Sequence, residues 1–245
     1  MKFAVQLYSL REYIAENGLE SALKIVSDAG FEGVEFAGFY GMKAEEIAAL
    51  LEKYGLIAVS AHVGNDAFSA ELPTLKALAV SAAVIPWIGF NRGADEQAEF
   101  EKTRRTLAEV LNETAAKLRP HGLKLGYHNH AHEFENGADY VKKTAEEVPG
   151  IKLELDVFWL AVAGKNALKY MEEQREKLLF LHVKELGESA EGVNPVVGRG
   201  RADCGAVMEL GKKLKVPWSI LEAEKFGMPE AEYLKESYAF MKNYR

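Results

Sequence analysis

The sequence predicts an α/β protein that folds as a single (β/α)₈ TIM barrel over residues 1–245. Eight strand-like runs are each followed by an amphipathic helical stretch, at intervals of about 25 to 40 residues, and the chain is near the usual barrel length. The competing fold is a doubly wound open sheet, but no Gly-x-Gly-x-x-Gly turn follows the first run, where a dinucleotide-binding sheet would have one. No linker or low-complexity tract divides the chain, so we expect one domain.

The eight predicted strands are short runs rich in aliphatic and aromatic residues. They span residues 3–8, 31–36, 57–63, 82–88, 123–127, 151–159, 178–184 and 216–222. Pro86 lies inside the fourth run, and because proline has no N–H to donate to a neighbouring strand, the pattern is least regular there.

The helical stretches are recognised by apolar residues at three- and four-residue spacing. They span residues 19–29, 44–54, 72–80, 96–118, 139–148, 167–174, 203–214 and 228–244. Gly30 and Gly55 are natural ends for the first two, because glycine favours the conformation that follows a helix. Asp203 is predicted to cap the amino end of the seventh helix with its side chain.

Composition excludes several functional classes. The net charge is -7, which argues against a nucleic-acid partner or an anionic membrane surface, since both favour basic patches. No apolar run is long enough to span a membrane, and no signal peptide is recognisable. Cys204 is the only cysteine, which rules out an internal disulfide and fits a reducing compartment. We therefore expect a cytoplasmic protein, with Cys204 as a small buried residue rather than a nucleophile.

The stretch from Lys124 to Phe134 is the richest in functional side chains. A buried strand runs directly into His128, Asn129, His130 and His132. Side chains alternate along a strand, so His128 and His130 are predicted to point the same way. Three imidazoles within five positions, at the end of a buried strand, favour a site over a single core histidine.

Polar side chains also gather at the ends of the other predicted strands, where barrel enzymes carry their functional groups. Many come in pairs two residues apart, which share one face of the strand. The set comprises Gln6, Tyr8, Glu35, His62, His128, His130, Glu154, Asp156, His182, Lys184, Glu222 and Glu224.

Two histidines and two carboxylates from strands five to eight form a mixed nitrogen and oxygen set that suits one divalent ion. We predict His128, Asp156, His182 and Glu222 as ligands of Mn²⁺, Zn²⁺, Co²⁺ or Fe²⁺, with Mg²⁺ also compatible. Glu154 and Glu224 are alternative ligands, since each shares a face with a chosen one. Glu154 lies deeper and is expected to pair with Lys184 or a histidine, because an unpaired buried carboxylate is costly.

A metal chelated by neighbouring oxygens of a polyol polarises a carbonyl and acidifies the adjacent C–H, and a nearby carboxylate or imidazole can then move the proton. The predicted catalytic residues are Glu222, His128, His130 and Lys184. The ammonium group of Lys184 could stabilise an enediolate oxygen. The predicted substrate-binding residues are Gln6, Tyr8, Glu35, His62, Trp159 and Arg201. Arg201 and its neighbour Arg199 could grip a phosphate or a carboxylate.

Four motifs give the chain a resemblance to a known family. They are Tyr127-His128-Asn129-His130 with Glu133-Phe134, Glu154-Leu155-Asp156-Val157-Phe158-Trp159, Leu181-His182-Val183-Lys184, and Gly198-Arg199-Gly200-Arg201 with Asp203. Over its whole length the chain resembles the xylose isomerase-like barrel superfamily, in the branch of sugar phosphate isomerases and epimerases. Tagatose 3-epimerase and inosose dehydratase belong to this superfamily, and four strand-end residues there hold one divalent metal.

The resemblance implies metal-binding positions at Asp156, His182 and Glu222. His128 stands where the epimerases have a catalytic glutamate, and Trp159 replaces a substrate-contacting histidine. The pair of glutamates used for epimerisation on two faces is therefore not intact, which leaves isomerisation and elimination open. The superfamily also contains endonuclease IV, a DNA-repair enzyme with three metals, but the acidic charge balance weighs against that activity.

The expected function is thus a divalent-metal-dependent isomerase or epimerase of a sugar, keto-sugar or sugar phosphate that acts through an enediolate. The alternative is a metal-dependent lyase that ends in β-elimination on a 3-keto-glycoside or inosose. A third class is a barrel that binds a carbohydrate without turnover. The expected partner is a small carbohydrate, and barrels of this group often form homo-oligomers.

Overall fold

Eight parallel strands close into a barrel in which each strand pairs with the next along the chain and the eighth pairs with the first. The computed structural model describes residues 1–64, 66–88 and 95–245, without the side chains at positions 96, 97, 100, 107 and 136. The predicted (β/α)₈ barrel is confirmed.

The strands are short, as expected for a barrel of this size. They are β1 Lys2–Gln6, β2 Gly33–Ala37, β3 Ile57–His62, β4 Ala82–Ile85, β5 Lys124–His128, β6 Ile151–Asp156, β7 Leu178–Val183 and β8 Trp218–Leu221. The register places Gln6 beside Glu35 and Asp156 beside His182, so polar residues of adjacent strands lie at one level.

Helices follow the strands on the outside of the barrel. They are α1 Arg11–Ala29, α2 Ala44–Tyr54, α3 Phe68–Ala77, α4 Glu96–Leu118, α5 Tyr140–Glu147, α6 Val157–Val162, α7 Ala167–Glu173, α8 Cys204–Lys213 and α9 Glu230–Met241. Short 3₁₀ turns span Leu7–Leu10, Arg119–His121, His132–Gly137 and Lys242–Tyr244. The bounds of α2 and α4 are those predicted from the sequence. None of the helices in the described ranges is long and apolar enough to cross a membrane.

Two predicted strands end earlier than expected, for the same physical reason. The Gln6 side chain accepts a hydrogen bond from the backbone N–H of Tyr8 at 2.9 Å and thereby starts a 3₁₀ turn. Similarly, Oδ1 of Asp156 accepts from the N–H of Trp159 at 3.0 Å, so that α6 begins where strand was predicted. A polar side chain that caps its own exit turn ends each strand.

Other boundary predictions were also wrong, among them the third helix, predicted over 72–80 and found at Phe68–Ala77. Helix α1 begins at Arg11, and Gly18 (φ 81°, ψ 161°) interrupts it before the predicted start. Strand β4 ends at Ile85, immediately before Pro86, which cannot donate a ladder hydrogen bond. Asp203 precedes α8 with φ 53° and makes no side-chain cap.

Apolar side chains fill the lower part of the barrel, beneath the polar strand ends. One cluster comprises Ala4, Val59, Ala82, Val84, Leu179, Phe180 and Ile220, with Trp218 packed against it. Ala4, Phe180 and Ile220 are each followed, two positions further along the chain, by a polar residue, namely Gln6, His182 and Glu222. Because strand side chains alternate, these polar groups point into the barrel above an apolar floor.

Candidate active site at the carboxyl ends of the strands

The four predicted metal ligands converge at the top of the barrel. His128, Asp156, His182 and Glu222 each offer one ligand atom, and these atoms all lie within 4.8 Å of one another. All four residues are buried. They come from β5, β6 and β7 and from the residue that follows β8, which explains how positions far apart in sequence meet at one point.

His182 directs its two ring nitrogens at different carboxylates. Its Nδ1 lies 2.7 Å from Oε2 of Glu222, beside the predicted metal position. Its Nε2 lies 2.7 Å from Oε1 of Glu35 and 3.1 Å from Oε2 of Glu154, deeper in the barrel. Burial opposes the charged ring, but the charges of Glu154 and Glu35 outweigh it and hold the pKa of His182 well above its ordinary value. Both nitrogens therefore carry protons in the metal-free protein, and a metal ion at Nδ1 would displace the proton there while Nε2 keeps its own.

His128 is held in the same manner. Its Nδ1 lies 3.2 Å from Oε2 of Glu154, while its Nε2 faces Oδ2 of Asp156 at 3.8 Å. Burial lowers the pKa of His128 to about 3, so the ring is neutral at physiological pH and able to bind a metal.

Asp156 fits a bound cation. Its backbone is clamped by Asn129, whose Oδ1 accepts from the Asp156 N–H at 2.9 Å and whose Nδ2 donates to the Asp156 carbonyl at 3.1 Å. Its Oδ2 is buried and has no hydrogen-bond partner among the described residues. Burial, reinforced by the charge of Glu222, raises the pKa of Asp156 to about 7. A divalent ion at this position would satisfy both the orphaned oxygen and the charge.

A layer of buried charge lies directly beneath these residues. His62 Nε2 contacts Glu154 Oε2 at 2.8 Å and Glu35 Oε1 at 3.2 Å, which joins β3 to β6 across the barrel interior. Burial opposes the charged imidazole, but the two carboxylates outweigh it and raise the pKa of His62 to about 10. Glu35 also accepts from Gln6 Nε2 at 2.7 Å and from the hydroxyl of Ser60 at 2.6 Å. The predicted pairing of Glu154 with a histidine is confirmed.

Lys184 is fully buried beside the predicted ligands. Its ammonium lies 2.5 Å from Oε1 of Glu224 and 3.7 Å from Oε1 of Glu222, and it stands 4.3 Å and 4.8 Å from the ring centroids of Phe158 and Trp159. Burial lowers the lysine pKa, but the charges of Glu222, Asp156 and Glu224 raise it by more. The group is therefore a fixed cation at the edge of the site.

His130 follows the end of β5 and is positioned by Glu133. The Glu133 carboxylate accepts from the backbone N–H of His130 at 2.9 Å and from the hydroxyl of Tyr127 at 2.5 Å. The His130 ring lies 4.9 Å from those of His128 and Trp87, measured between centroids. Burial lowers the pKa of His130 to about 3, so its imidazole is also neutral.

A cavity of about 440 Å³ opens above this arrangement. Its mouth carries two half-exposed aromatic side chains, Tyr8 (47% exposed) and Trp87 (49% exposed), which follow β1 and β4. Its lining comprises Gln6, Tyr8, Ala37, His62, Pro86, Trp87, His128, His130, Glu222 and Glu224. The cavity has the size and mixed polarity of a small-molecule site.

The predicted site residues therefore fall into several groups. Gln6, Tyr8, His62, His128, His130 and Glu222 line the cavity. Asp156, His182 and Glu35 lie beneath it with no exposed surface. Lys184 and Trp159 do not line it, but each lies next to a residue that does, Lys184 beside Glu222 and Trp159 beside His130. Arg201 is not brought to this cavity. Its guanidinium donates to the carbonyls of Gly187 and Glu188, and it lines a separate surface cavity of about 830 Å³.

Sequence reasoning missed Glu185, which explains the Gly198–Arg201 motif. Its carboxylate accepts from the N–H groups of Gly198 at 3.0 Å and Ala202 at 3.1 Å. A Cβ atom at Gly200 would lie 2.5 Å from Oε2 of Glu185, so only glycine fits there. The glycines of the motif thus allow the loop backbone to lie close to the Glu185 carboxylate. In the sequence, the local signal for this role of Glu185 is its position directly after Lys184, at the end of a predicted strand.

The fold and the site together define a (β/α)₈ barrel in which nitrogen and oxygen atoms that could hold a metal ion gather at the carboxyl face. The chain belongs to the xylose isomerase-like TIM barrel family, whose model matches residues 23–244. The resemblance found in the sequence is thereby confirmed. No curated protein matches the sequence of this chain.

Several solved structures share the fold. A sugar phosphate isomerase/epimerase from Parabacteroides distasonis ATCC 8503 has a TM-score of 0.80 and 16% identity, over 98% of this chain and 97% of that one. The probable 3-DHS dehydratase AsbF of Bacillus anthracis has a TM-score of 0.75 and 14% identity, over 99% of both chains. The IolI protein, solved with a bound zinc atom, has a TM-score of 0.74 and 15% identity, over 100% of this chain and 96% of that one. At these identities the likeness establishes the fold.

Proposed function

We propose that this protein is a divalent-metal-dependent isomerase or epimerase of a sugar, keto-sugar or sugar phosphate that acts through an enediolate. The observation that carries the proposal is the buried Oδ2 of Asp156, which has no hydrogen-bond partner among the described residues and faces Nε2 of His128 at 3.8 Å. Family membership and the isomerase, epimerase and dehydratase names of the structural neighbours support an enzyme of this class.

His128, Asp156, His182 and Glu222 would hold the ion, which is Mn²⁺, Zn²⁺, Co²⁺ or Fe²⁺, with Mg²⁺ also compatible. When bound, a divalent ion at this position polarises a substrate carbonyl and acidifies the neighbouring C–H. The zinc atom of the IolI structure supports a metal in this fold.

The chain's own residues would position the substrate and move the proton. Glu222 lines the cavity, and although burial opposes its charge, Lys184 and His182 hold its pKa well below the usual range. It is therefore a carboxylate available to take a proton at physiological pH. Lys184 would place its positive charge near a developing enediolate oxygen. Tyr8 and Trp87 offer aromatic faces for the apolar side of a sugar ring, and His130 presents a neutral imidazole from β5.

One observation favours a second candidate, a lyase acting by β-elimination on a 3-keto-glycoside or inosose. Carboxylates, those of Glu222 and Glu224, follow β8, whereas His128 at the end of β5 and His130 just beyond it present imidazoles. The two sides of the cavity therefore differ chemically, and a proton removed by Glu222 meets no matching carboxylate that could return one from β5. Loss of a leaving group would complete such a reaction.

The first experiment is metal analysis by mass spectrometry of protein purified without chelators. His182→Ala is expected to lose one equivalent of metal that the wild type retains. His121→Ala is the matched control, because His121 is an exposed histidine in the 3₁₀ turn outside the site. Absence of metal from the wild type, even after reconstitution, would contradict the proposal.

The second experiment identifies the reaction. Aldoses, ketoses, their phosphates and 3-keto-glycosides are incubated with the wild type in D₂O, and the recovered compounds are examined by NMR. Deuterium at the carbon beside the carbonyl is expected, and a released leaving group would assign the lyase. If Glu222→Gln leaves carbohydrate affinity intact and the wild type introduces no deuterium into any bound compound, the protein is a binding barrel.

A further inference from the structure

Another group of metal-ligand residues lies next to the predicted ligands, in the segment that follows β5. It consists of His130, His132 and Glu133, and we call it the loop cluster. The potential ligand atoms of these residues lie within 4.8 Å of one another, and Nε2 of His132 is 3.4 Å from Oε1 of Glu133. None of the three belongs to the predicted metal site, although His130 also lines the cavity in which the proposed function places the substrate.

The Nδ1 atom of His130 is the first sign that this cluster binds something. It is buried and makes no hydrogen bond to any described residue. A buried polar atom without a partner is costly in a folded protein, so it marks a position where a ligand or ion belongs. The ring also lines the cavity, which gives the cluster a route to solvent.

Glu133 is the second sign. It is fully buried, and within the described parts of the chain its ion pairs are limited to His132. A buried carboxylate without a lysine or arginine partner is unfavourable unless hydrogen bonds or a metal ion compensate it. Burial accordingly raises the pKa of Glu133 to about 7.

The groups around Glu133 hold its carboxylate in place, as donors commonly hold a carboxylate that binds a metal ion. Each of its oxygens already accepts one hydrogen bond, from the Tyr127 hydroxyl and from the His130 N–H, and each retains a further lone pair. Carboxylates that bind metals are commonly held by such donors. The Trp87 ring covers the cluster, with its centroid 4.2 Å from that of His132 and 4.9 Å from that of His130. It limits solvent access from that side.

We propose that the loop cluster binds a second divalent cation of the Zn²⁺ type, through His130, His132 and Glu133. Two imidazoles and one carboxylate are the ligands that three-residue zinc sites use, and such sites keep a further position open. His130 lies on the wall of the cavity. The second ion would therefore lie beside the substrate space and could bind a substrate oxygen.

Zinc stoichiometry tests the proposal in variants that retain their fold. Chelator-treated proteins are saturated with Zn²⁺, desalted and analysed by mass spectrometry. We expect about two zinc ions per chain in the wild type and about one in His132→Gln. His121→Gln, the matched control outside the site, should equal the wild type. Equal zinc content in His132→Gln and His121→Gln would overturn the proposal and leave Glu133 as a clamp of the loop.

A second background separates the two metal sites. Asp156→Asn removes a ligand of the predicted site but retains the acceptor oxygen that caps α6. We expect it to keep about one zinc ion per chain, and its double variant with His130→Gln to keep none. Added Zn²⁺ should raise the unfolding temperature of Asp156→Asn but leave that of the double variant unchanged. If Asp156→Asn retains no zinc, the loop cluster is not a metal site. The metal content of His182→Ala tests the proposed function separately.

Discussion

Oε1 of Glu35 lies 2.7 Å from Nε2 of His182, and this contact crosses the barrel from β2 to β7. It makes Nε2 of His182 a hydrogen-bond donor, because the Glu35 carboxylate can only accept. The other nitrogen, Nδ1, is thereby left facing Glu222 and the predicted metal position. Glu35 has no exposed surface, and it contacts His182 and His62. We therefore expect it to act on the site through these two histidines.

Replacement of this carboxylate is expected to weaken metal binding. Glu35→Gln keeps the shape of the side chain but loses the charge that orients His182, and such outer-shell changes lower metal affinity by about 10- to 100-fold. Competition with a chromophoric chelator measures the effect. Ser60→Ala removes one donor to Glu35 but leaves the carboxylate in place, so a much smaller change is expected. Equal affinities in Glu35→Gln and the wild type would contradict this role.

The Asn129 clamp on Asp156 leads to a prediction about stability. Asn129 is buried and both donates to and accepts from the backbone of Asp156. Asn129→Ala leaves a backbone N–H and a carbonyl without partners, and each buried unsatisfied group costs about 1–3 kcal/mol. Because two groups lose their partners, urea unfolding of the metal-free protein should show a loss of about 2–6 kcal/mol. An unchanged midpoint for Asn129→Ala would refute the clamp.

The convergence of these residues could be predicted because strand periodicity and barrel geometry act together. A histidine or carboxylate at the end of a buried strand lies at the carboxyl face of the barrel, and this holds independently of the other strands. His128, Asp156 and His182 satisfy this rule, and the structure brings them together with Glu222. The bounds of α2 were equally readable, because a regular apolar stripe ends at Gly55.

What could not be predicted depends on contacts between distant parts of the chain. The bond between Glu35 and His182 joins residues 147 positions apart, and no local pattern identifies such a partner. Arg201 looked like an anion-binding residue, but its guanidinium is occupied by loop carbonyls. The end of β6 was misplaced because Val157 to Trp159 continue an apolar run, while the Asp156 side chain starts a helix there.

Glu185 is expected to control the mobility of the loop that follows β7. Glu185→Ala frees the N–H groups of Gly198 and Ala202, so trypsin should cut after Arg199 and Arg201 faster than in the wild type. Timed digestion with mass spectrometry of the fragments measures this. Glu188→Ala, an exposed glutamate in the same loop, is the control and should digest like the wild type. Equal rates in the two variants would show that the loop does not depend on Glu185.

Cys204 gives a pH dependence with a definite sign. The thiol is fully buried, and burial together with the charge of Glu185 raises its pKa well above the ordinary value of 9.0. The folded protein therefore holds this proton at pH values where the unfolded chain has lost it. The resulting contribution to the free energy of unfolding is complete below pH 9 and is lost as the pH rises through the pKa of the folded state.

Urea unfolding of the wild type and Cys204→Ala between about pH 8 and 10.5 measures that contribution. The other titrating groups, including His62, are common to both proteins and cancel in the difference. The stability of the wild type relative to the variant should be constant up to about pH 9 and then decline, because only the wild-type unfolded chain gains from thiol ionisation. Iodoacetamide should label Cys204 only when the chain unfolds, since the buried thiol is neither exposed nor ionised. A pH-independent difference, or rapid labelling of the native protein at pH 9, would show that the thiol is accessible and ionises normally.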